Sequence, residues 1–138
     1  MLQRMQTIWL LLATAFSFLT LRFPVYNGNK LVNETSEYNM LSATSSLFLI
    51  ILSVATGLIA LIAVFLYKNR GLQQKLCFVG LLLYIISGML YYTQIKSFTE
   101  GAFTLWAVFY FLIPVCFILA IRGIYRDQRL VKSIDRLR

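Results

Sequence analysis

The sequence contains no histidine and only five acidic residues among its 138. Histidine, aspartate and glutamate supply most ligands of protein-bound metals and haem, and the proton relays of membrane carriers. None of the five acidic residues lies within a long apolar run of the chain. The composition therefore argues against a b-type haem, a histidine-ligated metal and an ion-coupled carrier. No residue is a candidate for catalysis, cofactor binding or metal binding.

Cysteine is also scarce, because Cys77 and Cys116 are the only two and do not form a Cys-x-x-Cys motif. A thiol redox enzyme of the quinone-linked type would need such a pair on the oxidising side of the membrane. Packing explains each of them better, since a free buried cysteine behaves as a small hydrophobe.

Four long apolar runs make up most of the chain, at residues 7–21, 47–67, 76–95 and 102–121. A helix rises about 1.5 Å per residue, so ~20 apolar residues span the ~30 Å hydrocarbon core of a bilayer. The sequence predicts an all-α fold: an integral membrane four-helix bundle that forms a single domain over residues 1–138.

Basic residues are distributed unevenly between these runs. Ten of the 13 Lys and Arg residues precede the first run, separate the second from the third or follow the fourth, whereas Arg22, Lys30 and Lys96 lie in the other connections. By the positive-inside rule, both termini and the middle connection are cytoplasmic. Anionic lipid headgroups attract such a basic face. The net charge of +8 therefore indicates the lipid bilayer as a partner, and no nucleic acid is predicted.

The connection between the first two runs, residues 23–46, is the largest polar segment on the predicted outer face. Residues 26–30, Tyr-Asn-Gly-Asn-Lys, are rich in turn-forming residues and predict a tight reversal. Apolar side chains later in the segment indicate that it folds against the bundle or a partner. A short hairpin and an interfacial helical turn are both compatible with this pattern.

Small residues recur at helical spacing in two of the runs. In the second run they are Ser53, Gly57 and Ala60, and in the third they are Gly80 and Gly88. Small residues let two helix backbones approach closely within a membrane. The spacing predicts that these residues pack helices together inside one chain. The alternative is a face for self-association, which would make the protein a homo-oligomer.

The segment after the fourth run, residues 122–138, predicts a basic amphipathic helix on the cytoplasmic side. Its apolar residues recur at intervals of three, four and seven. Two roles fit this pattern, a surface-lying membrane anchor and a docking element for a partner protein. The candidate contacts with lipid or partner are the basic residues of the segment: Arg126, Arg129, Lys132, Arg136 and Arg138.

The two ends of the chain carry its most distinctive sequence. It opens with MLQRMQTIWLLLA at residues 1–13, continues with RFP at 22–24, and closes with RGI at 122–124 and IDRLR at 134–138. With these features the whole chain resembles the four-helix membrane proteins of Bacteroidota grouped as domain of unknown function 4293. The resemblance implies a bacterial inner membrane and supplies no catalytic residues to transfer.

The sequence has no group of residues that could carry out catalysis, and its recognisable polar segments lie at the ends, where contacts with partners would be made. It therefore predicts a non-catalytic accessory or scaffold subunit of a larger bacterial inner-membrane complex, not an enzyme. The alternative is a small passive transporter or channel formed by self-association, in which the second and third runs line the path. A lipid-modifying enzyme would need an acid or a base at an interface. The outer face offers only three acidic residues for this role: Glu34, Glu37 and Glu100.

Overall fold

The computed structural model describes residues 2–32 and 35–135 of the chain. These residues form four α-helices, a three-stranded β-sheet and one short 3-10 helix. In chain order the elements are α1 (Leu2–Arg22), β1 (Tyr26–Val32), β2 (Thr35–Leu41), the 3-10 helix (Ala43–Ser45), α2 (Leu47–Phe65), α3 (Arg70–Ile95), β3 (Phe98–Phe103) and α4 (Ala107–Asp135).

Each of the four helices in the described part of the chain is long and apolar enough to span a membrane. They pack around a common core in the order α1, α2, α3, α4, so that each contacts two neighbours. The association of α1 with α4 is the most extensive, and that of α3 with α4 is the least. Leu10, Leu49 and Phe117 are fully buried in the core. The predicted bundle of four apolar helices is confirmed.

The predicted all-α class is wrong in one respect, because the described chain also forms a small sheet at one end of the bundle. The strands are antiparallel in the order β2-β1-β3. Residues 26–30 are not a reversal but belong to the central strand, where Tyr26 pairs with Leu41 on one side and with Phe103 on the other. We call this end of the bundle the sheet end. The opposite end, where α2 connects to α3, is the basic end.

Gly28 allows the close approach of the central strand to β3. A Cβ atom at this position would collide with the backbone oxygen of Glu100. At the other end of β1, Val32 pairs with Thr35 of β2. The Asn and Gly residues that indicate a turn in the sequence therefore serve sheet packing instead.

The start of α4 is set by hydrogen bonds at the sheet end, five residues later than the predicted run. The N–H of Ala107 donates to the carbonyl of Thr104 at 3.0 Å, and the N–H of Thr104 donates to the carbonyl of Val25 at 3.1 Å. The hydroxyl of Thr104 also donates to the carbonyl of Pro24. These bonds fix the first turn of α4 beside the end of α1.

At the basic end the helices extend further than the apolar runs. α3 begins at Arg70, so the connection from α2 comprises only residues 66–69. α4 continues without a break to Asp135. The predicted basic amphipathic helix of residues 122–138 is therefore, as far as Asp135, the last part of α4.

Candidate functional site

The predicted packing residues of α2 lie inside the bundle. Ser53, Gly57 and Ala60 are all buried. A Cβ atom on Gly57 would lie 3.3 Å from Cζ of Phe18 and 3.4 Å from Cβ of Ser17, both on α1. Gly57 therefore sets the spacing between α1 and α2 within one chain.

The predicted packing residues of α3 both face α4. A Cβ atom on Gly80 would lie 2.7 Å from Cζ of Phe117, which is fully buried. Among the described residues, a Cβ atom on Gly88 would meet only the hydroxyl oxygen of Tyr110, at 3.2 Å. Gly80 lets the two helices touch, whereas Gly88 borders open space.

An aromatic cluster surrounds that space. The ring centroids of Tyr84 and Tyr110 are 4.8 Å apart, and those of Tyr91 and Tyr110 are 5.0 Å apart. The hydroxyls of Ser87 and Tyr110 are hydrogen-bonded at 3.0 Å, and Ser87 Oγ lies 2.7 Å from the backbone carbonyl oxygen of Tyr84. A buried polar link between α3 and α4 thus lies within this cluster.

A cavity of about 250 Å³ lies beside the cluster, at the sheet end of the α3–α4 interface. We call it the tyrosine cavity; its wall includes Tyr84, Gly88, Tyr91 and Tyr110. Tyr91 is only 3% exposed, and its hydroxyl has no hydrogen-bond partner among the described residues. A buried hydroxyl left unpaired costs about 1–3 kcal/mol. The sequence places Tyr84 and Tyr91 about two helical turns apart in the third run, but it carries no signal of the cavity.

The basic end presents most of the contact residues that the sequence predicts. Three of the predicted bases are exposed on the last turns of α4: Arg126, Arg129 and Lys132. Leu130 and Val131, beside them, are exposed as well. Arg136 and Arg138 lie outside the described residues. The described surface is therefore both basic and apolar.

Asp127 lies among these bases but is directed into the bundle, where it is 8% exposed. Its Oδ2 atom is 3.7 Å from Nη2 of Arg70, and Nη1 of Arg70 donates to its backbone carbonyl at 3.2 Å. The pair joins the first residue of α3 to the end of α4. The sequence alone does not indicate it, because 57 residues separate the two partners.

The two cysteines contribute to packing. Cys77 and Cys116 are free and buried in the core of the bundle. Within residues 2–32 and 35–135, no three His, Cys, Asp or Glu side chains come close enough together to hold a metal ion.

The family model described as Domain of unknown function (DUF4293) matches residues 2–137, nearly the whole chain. The chain belongs to this family. The match confirms the resemblance carried by the two ends of the sequence. No match was found among curated proteins or among solved structures.

Proposed function

We propose that this chain is a non-catalytic accessory or scaffold subunit of a larger bacterial inner-membrane complex, with both termini in the cytoplasm. The continuity of α4 carries the proposal. This helix has 29 residues, about 43 Å at ~1.5 Å per residue, and so exceeds the ~30 Å hydrocarbon core. Its last turns extend beyond the membrane as a stiff arm, which we define as residues 128–135.

Docking suits the arm better than anchoring on the membrane surface. A surface-lying helix would have to turn away from the span, and Gly123 is the one glycine where it could bend. Gly123 instead lies within α4, where a Cβ atom would be 2.8 Å from Cγ of Gln6 on α1. Exposed Arg129 is of a residue type that is enriched at protein interfaces, and exposed Leu130 and Val131 add apolar surface beside it.

The alternative function, a small passive transporter or channel formed by self-association, has less support. It requires the small residues of α2 and α3 to line a path between copies. Gly57 lies against α1 and Gly80 against α4 of the same chain. Neither glycine is free to approach a second copy while the bundle is intact.

Replacing the exposed arginines in and next to the arm with lysine tests the docking role. Arg126→Lys combined with Arg129→Lys keeps the charge but removes the planar, bidentate guanidinium geometry. We expect membrane insertion to be unchanged. Co-purification of the partner complex in mild detergent should fall about tenfold, because a tenfold change in affinity corresponds to the free energy of about one charge-assisted hydrogen bond.

Arg22→Lys, an exposed arginine at the sheet end, is the matched control and should leave co-purification unchanged. Deletion of residues 130–138 should abolish co-purification. If the double replacement and the deletion both leave it unchanged, the docking role is rejected and the arm is a surface anchor.

Topology is tested by thiol labelling in a Cys77→Ala, Cys116→Ala background. Ser36→Cys, in β2, is expected to react with an impermeant maleimide in intact spheroplasts. Asn69→Cys and Ser133→Cys should react only after lysis, because positive-inside orientation places them in the cytoplasm. All three positions are exposed. Labelling of either cytoplasmic position before lysis would overturn the assigned orientation.

A further inference from the structure

We propose that a groove at the basic end of the α3–α4 interface binds one anionic phospholipid. We call it the basic groove; its volume is about 420 Å³, within the ~300–1,000 Å³ that is usual for ligand sites. Three polar side chains line it: Gln74, Arg122 and Tyr125. Lipid binding at this site is separate from the docking role of the arm and rests only on the proposed membrane insertion.

The polar side chains of the basic groove carry hydrogen-bond donors that are free. The guanidinium of Arg122, the hydroxyl of Tyr125 and the amide of Gln74 can each donate to a phosphate oxygen. In the part of the chain that the structure describes, none of the three forms an ion pair or a side-chain hydrogen bond. Arg122 and Tyr125 are exposed, so a ligand can reach them from outside the bundle.

The remainder of the basic groove is apolar and suits an acyl chain. Phe78 and Ile118 line it and are 52% and 55% exposed, so the groove opens sideways to the lipid. Phe78 follows Gln74 by about one helical turn, and Ile118 precedes Arg122 by about one turn. The donors and the apolar wall therefore follow each other along the helix axes, in the same order as the phosphate and the acyl chain of a phospholipid. The apolar wall is completed by Leu81 and Ile121.

The donors lie at the depth of lipid phosphates. α4 begins at Ala107, and Arg122 and Tyr125 lie 15 and 18 residues further, about 22 and 27 Å along the helix. A span that enters the ~30 Å hydrocarbon core near Ala107 therefore leaves it near Tyr125. Basic pockets between transmembrane helices at this depth bind anionic headgroups.

Charge favours an anionic headgroup over a zwitterionic one. The cationic group of a zwitterionic lipid needs a carboxylate beside the phosphate site. Asp127, five residues after Arg122, is directed into the bundle, where it lies 3.7 Å from Arg70. Asp135 lies 13 residues after Arg122, about 20 Å along the helix. The other acidic residues that the structure describes belong to the sheet, at the opposite end. An ammonium group at the basic groove would therefore meet only bases.

The test compares two lipids that differ only in their headgroups. The full chain, freed of lipid in a non-ionic detergent, is titrated separately with dioleoylphosphatidylglycerol and with dioleoylphosphatidylcholine, and native mass spectrometry counts the lipids bound to each chain. We expect one phosphatidylglycerol to bind about fivefold more tightly than phosphatidylcholine, because this ratio corresponds to the attraction between an anionic lipid and one nearby basic residue.

Two variants of equal charge assign this preference to Arg122. Arg122→Gln should reduce it to less than about twofold, since the charge beside the phosphate is lost. Lys68→Gln is the matched control and should keep the full preference: Lys68 is exposed at the same end of the bundle but does not line the basic groove. Arg122→Lys keeps the charge and should retain most of the preference.

Ile118→Trp tests the location, because the larger side chain would occupy the apolar part of the basic groove. Ile118 is 55% exposed, so the core need not move. We expect the variant to bind both lipids at least fivefold more weakly with an unchanged circular dichroism spectrum. Val108→Trp is the control: Val108 is 54% exposed on α4 and does not line the basic groove, so lipid binding should be that of the wild type.

Three results would overturn the lipid site. The first is equal affinity of the wild type for the two lipids, which is expected if the basic groove seats a transmembrane helix of a partner. The second is an equal loss of preference in Arg122→Gln and Lys68→Gln, which indicates attraction to the whole basic end. The third is wild-type binding by folded Ile118→Trp. All these measurements use the chain without a partner, so such a result would leave the docking role of the arm intact.

Discussion

Replacing Gly80 with leucine is expected to lower the free energy of unfolding by about 3 kcal/mol, the upper part of the range for overpacked cores. A Cβ atom at this position would lie 2.7 Å from Cζ of Phe117 and 3.4 Å from Cγ2 of Ile59. Phe117 is fully buried, so its ring cannot move without displacing the close-packed core. α3 and α4 must then separate. Unfolding by titration with a denaturing detergent measures the loss.

Two further variants make the result specific to this contact. Gly71→Ala is the matched control: nothing described lies within 4 Å of its Cβ position, and alanine is the better helix former by about 1 kcal/mol. Its stability should be unchanged or higher. Combining Gly80→Leu with Phe117→Ala gives the leucine space, so the double variant should lose less than the sum of the single losses. A Gly80→Leu protein as stable as the wild type would contradict the packing of α3 on α4.

The helix bundle could be predicted because its signals are local. Each apolar run of about 20 residues predicts a helix of membrane-spanning length without reference to the rest of the chain. Gly57 and Gly80 follow from the same reasoning, since small residues at helical spacing mark places where helices approach closely. Their partner helices could not be named, because the spacing indicates a face and not what lies against it.

The sheet could not be predicted, because its strands pair residues that are far apart in sequence and the residues of its central strand favour a turn. Asn27, Gly28 and Asn29 are poor strand formers by propensity and good turn formers. The pairing of β1 with β3 overrides that preference: Gly28 pairs with Gly101, and the Thr99 hydroxyl donates to the Asn29 carbonyl at 3.0 Å. Those two residues are 70 positions apart in sequence.

The candidate sites divide in the same way. Arg126 and Arg129 stand out in the sequence because basic residues follow an apolar run. The tyrosine cavity does not, since it depends on which ring of α4 faces Tyr91 and on the sheet that closes it. In the sequence, nothing distinguishes Asp127 from the other charged residues of the segment 122–138. Only the fold brings Arg70 close to it.

That ion pair has the second large expected effect. Arg70→Leu would leave the Asp127 carboxylate, whose side chain is 11% exposed, without its counter-ion. Removing one partner of a fully buried pair costs about 3–5 kcal/mol. Because 26% of the Arg70 side chain is exposed, we expect a smaller loss of about 2–3 kcal/mol in the free energy of unfolding, measured by the same detergent titration.

A double-mutant cycle isolates the interaction. Arg70→Leu combined with Asp127→Leu removes both charges, and this variant should be about 1–2 kcal/mol more stable than Arg70→Leu alone, because no buried carboxylate is left without a counter-ion. Arg126→Leu, at an exposed neighbouring position on α4, should change stability by no more than about 0.5 kcal/mol. Strictly additive losses would show that the two side chains do not interact. Because the pair holds the base of the arm against α3, Arg70→Leu should also weaken partner co-purification, and the double variant should recover part of it.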